Sequence, residues 1–252
     1  MTPIILIGSH SHIFIGPLGL GQVHTHAANV ALLALEKPFL LKLESEQTWK
    51  TYESTLIAAG TAHELNPQNG WCAVIYSDIY APCWQAMQPA PGQQPIERLA
   101  ACHELKAALE WLIRVDEPHA ELIHRLGKAL ENSLGPTPQH LNRMQQALKN
   151  HLRENDDLNL DELASSMHLS TSRVQHLFLS ELGVSYKRLQ HWVRFRGAMR
   201  QFEKLNSLTD AALECGFSDS SHFSNAFKSM FGVSARDAGI SRSDARFWQT
   251  PW

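Results

Sequence analysis

Two kinds of side chain in this sequence have the types and spacing to do chemistry. His24 and His26 alternate along a segment of extended character, so both side chains share one face of a strand. His63 lies in a second such segment. Three converging imidazoles can hold a transition ion, non-haem iron among them, because neutral ring nitrogens are common ligands. The second kind is polar and repeats: Thr171, Ser172, Arg173, Gln175 and His176 in one stretch, and Ser220, Ser221, His222, Asn225 and Lys228 in another. Carried on the outer face of a helix, such residues meet base edges and phosphates in a major groove. Neither group is accompanied by a nucleotide-binding loop or a nucleophile–base motif, so the residues point away from an enzyme.

The polar stretches belong to an internal repeat. Leu160, Ala164 and His168 align with Leu208, Ala212 and Gly216 at a separation of 48 residues. Residues 169–178 then match 217–227 with one extra residue in the second copy, and both copies end in Gly-Val-Ser, at 183–185 and 232–234. Each copy reads as a helix-turn-helix, with a small residue (Ala164, Ala212) where the two helices cross closely. Gly216 suits the left-handed turn between them, and His168 must adopt the same conformation at some cost. Ser170 or Thr171, and Ser218 or Asp219, are the N-caps of second helices whose apolar faces are Val174, Leu177 and Phe178, and Phe223, Ala226 and Phe227. A single copy could be an ordinary helical hairpin; the duplication argues for DNA binding.

Between the copies, Tyr186 to about Lys204 reads as one helix with Leu189, Trp192, Val193 and Met199 apolar and Lys187, Arg188, Arg194, Arg196 and Arg200 basic. Its length of ~28 Å at helical rise approaches the ~34 Å between successive major-groove faces of B-DNA. Arg194 and Arg196 are expected on phosphates, setting register. Arg173, Gln175, His222 and Asn225 are expected to supply sequence preference.

The first half must position the histidines. Its apolar residues come in short runs, Ile4–Ile7, Val30–Leu35, Phe39–Leu43, Thr55–Ala58 and Trp71–Tyr76, separated by turn formers at Gly16-Pro17, Gly60 and 66–70. This predicts strands in a small sandwich or barrel. Beyond Pro91-Gly92 the period becomes helical, with Leu105, Leu109 and Leu112 on one stripe and Leu122, Leu126 and Leu130 on another. The first stripe is either internal core or the seam of a homodimer. Gly135-Pro136-Thr137-Pro138 breaks the chain, with Thr137 placed to cap a helix from Pro138. The fold class is therefore α+β: a β-rich unit at 1–92, a helical segment at 93–136 and an all-α unit at 137–252. Trp71, Tyr76 and Trp84 either line an effector pocket with the three histidines or fill the sandwich core.

Composition is that of a globular protein, 44% hydrophobic and 19% charged over 252 residues. The net charge of −3 is unevenly divided: residues 137–252 carry 14 Lys and Arg against 12 Asp and Glu, or +2, which leaves −5 for residues 1–136. Affinity from counterion release should be modest. Cys72, Cys83, Cys102 and Cys215 form no CxxC pair, which fits a reducing cytoplasm. The apolar opening Pro3–Ile7 lacks a basic leader and is cut short by Gly8-Ser9-His10, so neither a signal peptide nor a membrane span is expected.

The segment Ala212-x3-Gly216-Phe217-Ser218-Asp219-x2-His222-Phe223-Ser224-x2-Phe227-Lys228-x2-Phe231-Gly232-Val233-Ser234 resembles the AraC/XylS family. The resemblance covers about 138–238. It implies two helix-turn-helix units joined by a long helix, with Thr171–His176 and Ser220–Lys228 in adjacent major grooves. Ala235 in place of the usual Pro, and His168 in the first turn, depart from the family pattern. The N-terminal half is similar to the cupin-type effector domain of many such regulators, through Gly21-x2-His24-x-His26 and 59–63. Thr25–Val30 lacks the carboxylate that a usual cupin metal site supplies, so neither a metal nor another cofactor is expected and the cupin-type metal enzyme is the remote alternative. The resemblance implies a transcription regulator, with activation the family norm. Its partners would be double-stranded promoter DNA, RNA polymerase if it activates, a small-molecule effector and a second copy of the chain. Control by a protein partner, or no ligand control, is the nearer alternative.

Overall fold

The computed structural model describes residues 2–81, 102–134, 142–154, 157–205, 207–238, 240 and 245–251. Cys83, Trp84, Pro91-Gly92, the break at 135–138 and both expected domain boundaries lie outside the described residues.

The first part is a sandwich of nine strands: β1 Ile4–Ile7, β2 Ser11–Pro17, β3 His24–Thr25, β4 Asn29–Ala34, β5 Phe39–Leu43, β6 Lys50–Tyr52, β7 Ser54–Ile57, β8 Ala62–Asn66 and β9 Trp71–Ser77. Helices α1 Cys102–Arg114, α2 Ala120–Leu134, α3 Arg143–Glu154, α4 Leu160–Met167, α5 Thr171–Leu182, α6 Tyr186–Leu205, α7 Leu208–Glu214 and α8 Ser220–Phe231 follow, and β10 Arg246–Gln249 ends the series. One sheet runs β10-β1-β2-β9-β4-β7 and the other β3-β8-β5-β6.

The larger sheet is covered on both faces, which explains why β1, β4 and β9 read as apolar runs rather than as an alternation. Every residue of β4 is buried. Val30, Leu32 and Ala34 turn to the interior shared with the second sheet, while Ala31 and Leu33 turn to the opposite side. On that opposite side lies the α1/α2 hairpin. Leu105, Leu109 and Leu112 are fully buried there against Ile4, Ile13, Ile75 and the α2 leucines Leu122 and Leu126. The leucine stripe is therefore internal core and not a dimer seam. Fully burying each such side chain contributes about 1.5–3 kcal/mol, and the sheet supplies the apolar surface that a partner chain would otherwise have to provide.

Trp71 is corrected in the same way. Odd-numbered residues of β9 point to the hairpin, so Trp71 packs with Ala73 and Ile75 in that core, whereas Tyr76 points to the other face. Trp71 is a core residue on the hairpin side of the sheet and does not line the cavity to which Tyr76 contributes.

The chain's last described strand departs from the expected partition. β10 pairs in parallel with β1, Ile4 opposite Arg246 through Ile7 opposite Gln249, and so belongs to the first sheet rather than to the all-α unit. Phe247 stacks edge-on to Phe202 at 4.8 Å, and the Arg246 guanidinium sits over Trp248 while donating to the carbonyls of Val115 and Ile113. A single apolar cluster runs without a break from Ile5, Phe14 and Val30 of the sandwich through Trp192, Phe195 and Phe227 of the helices. The two halves are docked as one packed body.

Candidate nucleic-acid interface and interdomain pocket

Helices α4 and α5 form one helix-turn-helix and α7 and α8 a second. Asn159 caps α4, its side chain accepting from the N–H groups of Asp161 and Glu162; Ser170 caps α5, Ser207 caps α7 and Asp219 caps α8. The Asp219 carboxyl is held below its ordinary pKa by the backbone N–H of His222 and by Ser218, as a capping carboxylate should be. At the first turn His168 stands at φ 55, the left-handed conformation that Gly216 takes at φ 90 in the second.

Val174 and Phe178, and Phe223, Ala226 and Phe227, are buried between the helices. That burial turns the remaining faces outward. Ser172, Arg173, Gln175 and His176 of α5 are exposed, as are Ser220, Ser221, Asn225 and Lys228 of α8; Thr171 and His222 are half-buried. His222 is partly committed locally, its Nδ1 accepting from the Ser218 N–H at 3.3 Å and its ring packing on Phe217 and His191. The 20 residues of α6 join the two units, which at ~1.5 Å per residue gives ~30 Å.

Arg196 is not on this outer surface. It is 7% exposed, and its guanidinium pairs with the fully buried Asp78, which follows β9, and donates to Tyr80 and to the Ser9 carbonyl. Asp78 also accepts from the Trp192 indole N–H at 2.8 Å. Burial alone would raise the Asp78 pKa, but Arg196, His10 and Trp192 hold it well below the carboxylate range; burial works against Arg196 too, and Asp78 and Tyr80 outweigh it. An arginine so paired cannot reach a phosphate, and the expectation that it sets register is corrected. Arg194 is also engaged, with Nη2 2.8 Å from Asp157 and Nη1 donating to the Gly216 carbonyl at 2.7 Å. It fastens the second turn.

Sequence reasoning missed this latch. The available signal was spacing: Arg196 follows Trp192 by four residues and falls on the stripe of Leu189 and Met199, so it had to point inward. Asp78 and Tyr80 follow β9, where nothing marked them. Further contacts tie the halves. Arg188 donates to the Thr25 carbonyl at 2.6 Å, Arg200 to that of Ser9 at 2.8 Å and Gln145 to that of Ile79 at 3.2 Å. Both Gly-Val-Ser endings rest on the sandwich: a Cβ on Gly60 would come within 2.1 Å of the Gly183 carbonyl oxygen, so two glycines are needed for that approach.

A cavity of about 80 Å³ lies where the halves meet. Ile5, Phe14, Val30 and Tyr76 line it from the sandwich, and Met199, Phe231 and Ile240 from the helical side. His12 borders it with neither ring nitrogen hydrogen-bonded, and burial beside Arg196 lowers its pKa to about 3, so the ring is neutral. His24, His26 and His63 close one end, with ring centroids 4.3 to 5.1 Å apart. Burial lowers all three pKa values, that of His63 to about 3. The histidines that the sequence placed apart are thus brought together.

Residues 163–238 match the model of a helix-turn-helix domain. Over 112 residues the chain is 33% identical to the HTH-type transcriptional activator RhaS of Escherichia coli O139:H28, an alignment spanning 43% of this chain and 39% of RhaS. Over this carboxy-terminal stretch the chain is similar to helix-turn-helix transcription regulators. The alignment spans about two fifths of the length of these curated relatives. Two solved structures of ToxT from Vibrio cholerae share the whole architecture: an apo variant covers 91% of this chain and 96% of its own, and wild-type ToxT with bound unsaturated fatty acid covers 95% and 99%. Each has a TM-score of 0.60 at 10% identity, so the likeness is one of fold. Among the described residues no helix is long and apolar enough to cross a membrane.

Proposed function

We propose that this chain is a sequence-specific transcription regulator that places α5 and α8 in successive major grooves of promoter DNA, under control of a ligand held between its halves. The observation that carries the reading is the pair of exposed polar faces at the two ends of α6. Arg173 and Gln175 on the first unit, and His222 and Asn225 on the second, have the donor and acceptor groups for base edges; Lys228 is free to meet phosphate. The role is activation, as in the name of the Escherichia coli relatives, and RNA polymerase is then a partner.

Ligand control is supported by where the cavity lies. Its volume is about half the roughly 150 Å³ that takes benzene. A ligand with an apolar body of one ring or more can enter only if the helical lining, Phe231 and Ile240 among it, moves away from the sandwich lining. Occupancy and docking then compete, and a ligand that binds the undocked arrangement better shifts the population toward it. His12 supplies the polar contact for one hydrogen-bonding group on such a ligand. A fatty acid is one fitting class, and a ToxT structure holds one.

Selection of bound duplexes from a random library with purified full-length protein tests the reading. The expected result is two sequence blocks about one helical turn apart. No enrichment from folded protein at low and moderate salt refutes it.

A further inference from the structure

The cluster at the end of the cavity has a geometry that packing alone does not ask for. Strands β3 and β8 pair antiparallel with His24 directly opposite His63, and His26 folds back onto both. All three rings are buried, and one nitrogen from each lies within 4.8 Å of the others. Nδ1 of His24 donates to the Gln22 carbonyl at 2.8 Å, and Nδ1 of His63 to the Thr61 carbonyl at 2.9 Å. Those two bonds fix the tautomer and leave each Nε2 with a bare lone pair, the arrangement by which backbone carbonyls orient metal-bound histidines.

His24 Nε2 and His26 Nε2 are 3.1 Å apart. A tetrahedral ion with nitrogen ligands at about 2.0–2.1 Å has ligand edges of roughly 3.3 Å, so His24 and His26 already stand near ligand spacing, and closing the triad draws in nitrogens that lie within 4.8 Å of one another. Because His24 Nε2 is bare, His26 donates its own Nε2 proton to it. Ligation through all three Nε2 atoms therefore needs only that the His26 ring proton pass to Nδ1, with no net release. Three neutral imidazoles without a carboxylate or thiolate suit a borderline divalent ion such as zinc rather than magnesium or calcium. Three protein ligands leave a fourth position, and the cavity bordered by the same rings supplies the space for water or a ligand oxygen.

The segment 22–26, which contains β3 and carries two of these ligands, is also where the second helix-turn-helix rests. Gln22 N–H donates to the Gly232 carbonyl at 3.1 Å, Arg188 reaches the Thr25 carbonyl, and the Phe231 ring lies 5.9 Å from that of His26. Gly232, which caps α8, approaches so closely that a Cβ there would stand 2.5 Å from His24 Nδ1. An ion that pulls His24 and His26 toward His63 moves the surface under the end of α8.

We propose that His24, His26 and His63 bind a divalent transition ion of the zinc class, and that filling this site changes how firmly the second helix-turn-helix unit is docked on the sandwich. The consequence for transcription rests on the DNA-binding reading; the metal site and the docking change do not.

Full-length protein stripped with a chelator and titrated with cobalt(II) alone is expected to take up one equivalent per chain, with the visible absorption of a low-coordinate nitrogen site, and to release it to zinc. His26→Gln and His63→Gln are each expected to weaken uptake by more than the roughly 10- to 100-fold that changes around a metal's ligands cost, while the exposed His119→Gln leaves it unchanged. Hydrogen exchange at the end of α8 is expected to differ between stripped and zinc-loaded protein, and DNA affinity to change by roughly 5- to 150-fold. Absence of cobalt and zinc uptake by folded wild-type protein overturns the site, whatever the variants do, and so does uptake that ignores both substitutions in folded variants. Uptake with unchanged α8 exchange overturns the docking change. If neither form binds DNA, the regulator reading fails, while uptake and exchange still decide this proposal.

Discussion

Replacing Asp78 by alanine removes the carboxylate that pairs with the buried Arg196 guanidinium. The fully buried aspartate and the nearly buried arginine come from opposite halves of the chain, 118 residues apart. Removing one member of such a pair costs about 3–5 kcal/mol, because the other charge stays buried without compensation. Trp192 Nε1 loses its acceptor in the same step. The cost falls on the docked arrangement, since an undocked helical unit would expose Arg196 to water. At about 1.4 kcal/mol per decade the undocked population should rise roughly 10²- to 10³-fold. Hydrogen exchange along the buried face of α6, together with urea unfolding followed by tryptophan fluorescence, reads both quantities. The double change Asp78→Leu with Arg196→Met should recover most of the loss, since an apolar pair of similar volume replaces an ion pair at little cost. A loss below about 1 kcal/mol in Asp78→Ala, or a double variant no better than the single one, would refute the latch.

Other consequences follow from burial and close approach. His12 stays neutral in the folded chain, its pKa lowered to about 3 by burial and then by Arg196 from an ordinary 6.5. Its contribution to stability is complete above pH 6.5 and is lost as pH falls toward 3. Between pH 6 and 4 the wild type should lose about 1.4 kcal/mol per pH unit more than His12→Phe, measured by urea titration at each pH. Leu109→Ala should cost about 2–5 kcal/mol while leaving the oligomeric state seen by sedimentation unchanged, because Leu109 packs inside the chain. Gly60→Val should separate the first helix-turn-helix from the sandwich, since its side chain would meet the Gly183 backbone; faster proteolysis between the halves is the readout.

The carboxy-terminal domain was legible because its signals are local. Caps at Ser170 and Asp219, the strained turn at His168 and the span of α6 all follow from neighbours within a few residues. The strands at Ile4–Ile7 and Trp71–Ser77 were legible from apolar runs, and Phe39–Leu43 from a run interrupted by Lys42. What escaped depends on partners distant in sequence. β2 carries His12 among its apolar residues, and β3 is only two residues long, so neither shows a strand-like run. β10 is defined by β1, some 240 residues away. The Leu105 stripe looks the same whether its cover is a second chain or the chain's own sheet. Arg196 was assigned to phosphate on its charge alone, although its spacing from Trp192 already placed it on the apolar face.

The central claim is that α5 and α8 read base pairs while Arg196 holds the halves together. It is tested most directly by titrating the selected duplex, and versions altered one base pair at a time, with Arg173→Ala and Asn225→Ala. Each substitution should cost about 1–3 kcal/mol in binding and relax preference at one base pair, in separate sequence blocks. If both variants bind with unchanged affinity and unchanged preference, the assigned interface is contradicted, even if the protein still binds DNA.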